Sequence, residues 1–291
     1  MTSIVVLKRR INSIKGTRQI TKALQLVAAS KMKKAQEYAA RSRSYSDLAF
    51  SLMQKLSGIN ELKNYVFFKV RPIKTKLYIV ISSNSGLAGA YNSNIQRFFS
   101  NLLKEDHENS VKVKVIAIGN KAAHFARRIE SIELLAVYND LGEQPTANDV
   151  RPILNSLIKE FLNDSVDQVD IIYTKFISNI TQQVDKIQVL PASTEITSET
   201  DQQVGHFSNF EPDVDSVINE ITTRLIEARL WQSILESYAS EHSMRMMAMK
   251  NATDNAKDLI DDYTLELNTA RQAGITQELA EISGGVEAMK S

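Results

Sequence analysis

Apolar side chains recur at two different periods along this chain, and the change of period divides it. At the start, Ile4, Leu7, Ile11 and Ile14 follow one another at steps of three, four and three, the spacing of one helical face. Beyond Gly16 the apolar side continues through Ile20, Ala23, Leu24, Val27 and Met32, and no proline occurs before Pro72. The pattern predicts helix through residues 1–71. Gly16 is its weak point, costing about 1 kcal/mol against alanine. Pro72 ends it, because proline disfavours helix at the residue before it.

From there the pattern shortens to strand-like runs. The segments at 76–82, 111–119, 132–138, 169–176 and 185–191 read as strands, and 92–105, 120–128 and 148–164 as helices, with Pro152 in the first turn of the last. This alternation argues for an α/β layer domain with a partly parallel sheet. Residues 192–212 are polar, end in Pro212 and read as a linker.

The helical period then returns. Asp213, a capping residue, opens a stretch to Ala273 with neither proline nor glycine. Positions 221, 225, 228, 231, 235, 238, 242, 246, 249, 252, 256, 259, 263, 267 and 270 are apolar, small or aromatic apart from His242, at a mean step of 3.5. That is the seam of a left-handed coiled coil. Sixty helical residues extend roughly 90 Å, too long for a compact domain of this size to contain. The expected fold is an α/β domain, a Rossmann-like layered sheet, inserted between two long terminal helices that form an antiparallel coiled coil. Its parts are an N-terminal helix at 1–71, the α/β domain at 72–205, and linker plus C-terminal helix at 206–291. The methionines of "SMRMMAMKNATDNAKDLI" (243–260) suit such a seam: Met246 and Met249 are flexible and face the small side chains of "LVAAS" (26–30).

Composition narrows the chemistry. The 291 residues are 43% hydrophobic and 24% charged, as in a soluble folded protein. No apolar run is long enough to cross a membrane, and the N-terminus has no secretory signal pattern. Cysteine is absent, which excludes disulfides and thiol chemistry. The net charge of +1 hides an asymmetry: residues 1–60 carry twelve Lys/Arg and two Asp/Glu, leaving 23 basic and 32 acidic residues elsewhere. A basic arm including Lys8, Arg9, Arg10, Lys15, Arg18, Lys22, Lys31, Lys33 and Lys34 suits an anionic partner, either nucleic-acid phosphates or acidic protein loops. "SNSGLAGAYN" (83–92) sits where a phosphate-cradling loop would, between strand and helix, but completes no phosphate-binding motif and reads as a tight turn. His107, His124, His206 and His242 have no metal-ligand spacing. No catalytic, cofactor or metal constellation emerges. Three function classes remain: an interaction protein built on the coiled coil, a nucleic-acid binder using the basic arm, and a nucleotide-dependent enzyme using the turn at 83–92.

Long motifs decide among them. "ITKALQLVAASKMKKAQ" (20–36), the methionine-rich stretch at 243–260 and "ARQAGITQELAEISGG" (270–285) resemble the gamma subunit of F-type ATP synthases, and "FEPD" (210–213) and the Gly-Leu-x-Gly turn at 86–89 fit too. The resemblance implies a non-catalytic rotor, one copy per complex, with no cofactor of its own. It would stand inside three alpha and three beta subunits, with its α/β domain near the epsilon subunit and the membrane c-ring. It implies rotor–stator contacts at Lys22, Leu24, Arg245, Arg271, Gln272, Thr276 and Glu278, foot contacts at Phe210 and Glu211, and no nucleic acid. The location implied is the cytoplasmic face of the bacterial plasma membrane. The chain departs from the family at Ala88 and Ala90 in the turn, at Leu24 and at Thr269.

Overall fold

A computed structural model describes residues 4–57, 65–139, 141, 142, 145–192 and 214–290. The elements run α1 (Ile4–Ser57), β1 (Thr75–Ile81), α2 (Tyr91–Glu108), β2 (Lys112–Ile118), α3 (Asn120–Ala126), β3 (Ile132–Tyr138), α4 (Ala147–Leu162), β4 (Gln168–Phe176), β5 (Gln182–Leu190) and α5 (Val214–Lys290). The chain forms two compact units, one of Met1–Ala28 with Arg245–Ser291 and one of Ala29–Met244, and α1 and α5 each contribute to both.

The larger unit is built on one five-stranded sheet of order β3-β2-β1-β4-β5. β1 lies parallel between β2 and β4, β3 continues the parallel set, and β5 returns antiparallel to β4. A central parallel strand covered on both faces needs a continuous apolar run, and Leu77–Ile81 is buried throughout. Alternation divides that run between two cores. Leu77, Ile79 and Ile81 pack with Val150, Leu157 and Phe161 of α4 and with Ile226, Leu230 and Ile234 of α5. Tyr78 and Val80 pack with Tyr91, Ile95 and Phe99 of α2 and with the alanines of α3.

Two element boundaries differ from the sequence reading. α1 is described as helix only to Ser57, and Tyr65–Phe68 form a turn in which the amides of Phe68 and Lys69 both donate to Tyr65 C=O, at 2.9 and 3.0 Å. The turn buries Phe67 and Phe68 against the sheet, and this core demand overrides the helical pattern expected up to Pro72. α4 begins at Ala147 behind a capping box between Thr146 and Asp149, so Pro152 falls in the second turn. There it cannot donate to the carbonyl four residues back. Its own C=O accepts from the hydroxyls of Tyr138 and Ser156, at 3.2 and 2.9 Å. The linker at 192–212 lies outside the described residues beyond Ala192, as do Asp213, Phe210 and Glu211.

The smaller unit pairs the start of α1 with the end of α5. Thr253 Oγ1 donates to Thr21 Oγ1 at 2.8 Å, and the Arg10 guanidinium lies 5.8 Å from the ring centre of Tyr263. Moving up α1 from Arg10 to Thr21 moves down α5 from Tyr263 to Thr253, so the helices are antiparallel. One turn from Thr253, Met249 is buried, as is Ala28 on α1. The seam keeps the expected period but not every expected residue. Ile20 and Val27 are exposed, at 63% and 52%, while Thr21 and Ala28 fill the inward row. On α5 the row is Met249, Thr253, Ala256 and Ile260, and Leu259 stands 46% exposed. The inward row of α5 steps by four, three and four residues, still one face of the helix. The polar Thr253 is accepted inside because its hydroxyl has two partners, Thr21 and the Met249 carbonyl at 2.7 Å.

Candidate functional site

The rotor–stator positions expected from the sequence occupy three levels of the smaller unit. Lys22 is exposed, with its ammonium 3.3 Å from Gln25 Oε1, and Leu24 is half-buried. Arg245 is half-buried, about two turns of α5 before Thr253. Arg271, Gln272, Thr276 and Glu278 are all exposed and begin about five turns beyond Thr253. The Thr276 hydroxyl donates to Gln272 C=O at 3.0 Å. The structure thus gathers the last four on one stretch and leaves Lys22, Leu24 and Arg245 at other heights. Phe210 and Glu211 lie outside the described residues.

What this stretch presents to solvent is mixed. Ile275, Leu279 and Ile282 are exposed at steps of four and three, beside the polar group. On α1, Ile20, Leu26 and Val27 are exposed among Lys15, Arg18 and Lys22. Apolar side chains arranged in rows on an exposed helix mark a surface that another chain covers. The guanidinium and amide groups supply directional bonds on the same surface.

The turn after β1 is organised by its own side chains. Asn84 Oδ1 accepts the Asn120 amide at 3.0 Å, Ser83 C=O accepts the Lys121 amide at 3.1 Å, and Ser82 Oγ accepts the Ala122 amide at 2.7 Å. These bonds tie the turn after β1 to the start of α3. Gly119 has φ +93°, and a Cβ there would lie 2.3 Å from the Ser82 carbonyl oxygen. The glycine lets β1 and the start of α3 approach closely. The turn at 83–92 is a structural junction. Among the described residues, no His, Asp and Glu side chains group in a way that could hold a metal ion, and His206 lies outside them.

A second polar region escaped the sequence reading. Along α5, Gln232, Glu236, Ser237, Ser240, Glu241 and Ser243 are all buried. Gln232 accepts from the Ser42 hydroxyl of α1 at 2.5 Å and donates to Glu236 at 2.9 Å, and Arg43 approaches Glu236 at 3.4 Å. Nearby, burial drives the Tyr91 phenol well above its ordinary pKa, with the Glu241 charge adding to the effect. His242, expected as a polar interruption of the seam, lines a small cavity of about 120 Å³ with Lys31, Ser82, Asn84 and Glu241.

Comparison with known proteins settles the family. Residues 3–289 match the ATP synthase family. The ATP synthase gamma chain of Staphylococcus carnosus is 39% identical over 290 residues, covering 100% of both chains, and that of Clostridium novyi is 35% identical, covering 99% and 98%. The chain belongs to the ATP synthase gamma chain family. Its fold is shared with a chain of the Euglena gracilis mitochondrial ATP synthase, at TM-score 0.70 and 18% identity over 98% of this chain and 94% of that one. It also matches a chain of the central stalk and c-ring structure of the Tetrahymena thermophila enzyme, at TM-score 0.61 and 24% identity over 80% and 99%. For a gamma-chain fold, the buried polar stretch of α5 is the part that sequence reasoning missed. Its signal was present as serine at steps of three, Ser237, Ser240 and Ser243, on a helix otherwise read only for its apolar seam.

Proposed function

We propose that this chain is the central-stalk rotor subunit of an F-type ATP synthase, coupling proton-driven rotation of a membrane c-ring to ATP synthesis on a ring of three alpha and three beta subunits. The observation that carries this reading is the full-length match to gamma chains together with antiparallel helices whose outer rows remain apolar and exposed. The chain itself is non-catalytic: its part is mechanical, and the nucleotide chemistry belongs to the surrounding subunits. Arg271, Gln272, Thr276 and Glu278, with Lys22, Leu24 and Arg245, make the contacts that form and break as the shaft turns. Phe210 and Glu211 are the foot contacts of this reading, with the epsilon subunit and the c-ring as partners. In functional terms the chain divides into an N-terminal segment at 1–71 that carries α1, a foot domain at 72–205, and a C-terminal segment at 206–291 that carries α5. Among the described residues no helix is long and apolar enough to cross a membrane. The chain is held as a peripheral subunit at the cytoplasmic face of a bacterial plasma membrane.

The physical logic favours protein over nucleic acid as the anionic partner. A phosphate backbone would engage the exposed lysines and arginines but leave Ile20, Leu26 and Val27 in water, whereas a protein sleeve with acidic loops covers both kinds of side chain. The test is co-expression with the alpha and beta subunits. One copy of the chain should purify with three of each, and ATP hydrolysis should reside in the complex and be absent from the chain alone. Isolation of the chain bound to nucleic acid, with no alpha or beta subunit, would overturn the reading.

A further inference from the structure

Resting on the rotor reading, torque has to pass between α5 and the sheet that it packs against. Apolar burial is itself non-directional, and hydrogen bonds add a directional restraint to the packing of a helix on a sheet. The buried serines of α5 supply direction. The ladder of β4 with β1 extends to Ile172, opposite Val80, whereas its ladder with β5 runs on to Phe176. Thr174 therefore lies beyond the described pairing with β1, and α5 takes the place of the missing strand. The Thr174 amide donates to Ser237 Oγ, and Ser240 Oγ donates to the Thr174 carbonyl, both at 3.1 Å. One turn on, Ser243 Oγ donates to Asn179 C=O at 2.9 Å and accepts from Gln182 Nε2 at 3.2 Å. All three serines are wholly buried. The other side of the same helix segment is tied to α1 through Ser42, Gln232 and Glu236.

We propose that Ser237, Ser240 and Ser243 form a torsional clamp that fixes the angular setting of α5 on the β4–β5 hairpin, so that turning the helix turns the sheet domain with it. They are positioning residues. Alanine is close to serine in volume, so packing survives the substitution and the directional bonds do not. Removing the hydroxyls also leaves the Thr174 amide and carbonyl buried without partners.

The test uses the complete complex in vesicles carrying the Ser237→Ala/Ser240→Ala chain. Subunit content and ATP hydrolysis should match the unsubstituted complex, while protons pumped per ATP hydrolysed fall severalfold. Exchange of the Thr174 amide should speed by roughly tenfold or more, the effect of two lost bonds at about 1 kcal/mol each. If the double variant fails to assemble, Ser240→Ala alone is read by the same measurements. Unchanged pumping per ATP would overturn the clamp while leaving the rotor reading intact. A complex with the unsubstituted chain that hydrolyses ATP without pumping at all would overturn both.

Discussion

The two stretches of α5 obey different rules. Between Ile218 and Ser243 the helix is enclosed, with Ile226, Leu230 and Ile234 in the sheet core and its serines and glutamates bonded to β4, the hairpin and α1. Beyond Arg245 the buried positions form one row, Thr253 and Tyr263 meet Thr21 and Arg10 of α1, and from Arg271 onward the described residues are exposed except half-buried Gly274. The first stretch is finished within this chain. The second is a helix that leaves most of its surface exposed. A core residue should therefore govern the stability of the isolated protein, and a tip residue should govern only what the assembled complex does.

The largest effect expected is at Phe161, which is fully buried between the sheet and α4 with the Arg71 guanidinium 5.0 Å from its ring centre. Phe161→Ala should lower the unfolding free energy of the isolated chain by about 3–5 kcal/mol in urea titration. Next comes a pH dependence confined to the sheet. Asp170 is wholly buried; desolvation holds its carboxyl above the ordinary range, although Gln168, Lys186 and Lys76 act in the other direction, and Asp106 adds to the rise. A raised folded pKa contributes stability that is present below the unfolded value of about 3.9 and lost as pH rises through the folded value. Asp170→Asn should thus gain on the native chain as pH increases across that window, seen as a growing difference in urea midpoint. In the smaller unit, Gly16 lies inside α1 with nothing within 4 Å of a built Cβ. Gly16→Ala should stabilise that unit by about 1 kcal/mol, read by amide exchange along α1. The smallest effect is at Leu279, 60% exposed. Leu279→Ala should change the stability of the isolated chain by less than about 0.5 kcal/mol. A loss comparable to that of Phe161→Ala would erase the distinction between the two stretches.

Legibility in the sequence follows the same division. The strands were readable because parallel pairing with both faces covered demands runs such as Leu77–Ile81. The coiled-coil period was readable because a single inward row must repeat at 3.5. The phase was not: Leu259 and Ile260 are adjacent and apolar, and the choice between them depends on a hydroxyl pair, Thr21 with Thr253, that joins distant parts of the chain. The end of α1 was misplaced for a similar reason, since nothing local says that Phe67 and Phe68 belong in the sheet core. The serine clamp left only the three-residue spacing of Ser237, Ser240 and Ser243 as its mark, because most of its partners are backbone groups, those of Thr174 and Asn179, which leave no trace in the sequence. The tip residues were named only through the family motif, and the structure adds that they are exposed.

The central claim is that this chain turns inside a ring of other subunits. The direct measurement fixes the alpha and beta subunits to a surface and attaches a bead through a single Asn101→Cys on the exposed side of α2. The account predicts ATP-dependent rotation in one direction, pausing three times per turn because three equivalent partners surround the shaft. Steady ATP hydrolysis by complexes whose beads stand still would contradict it.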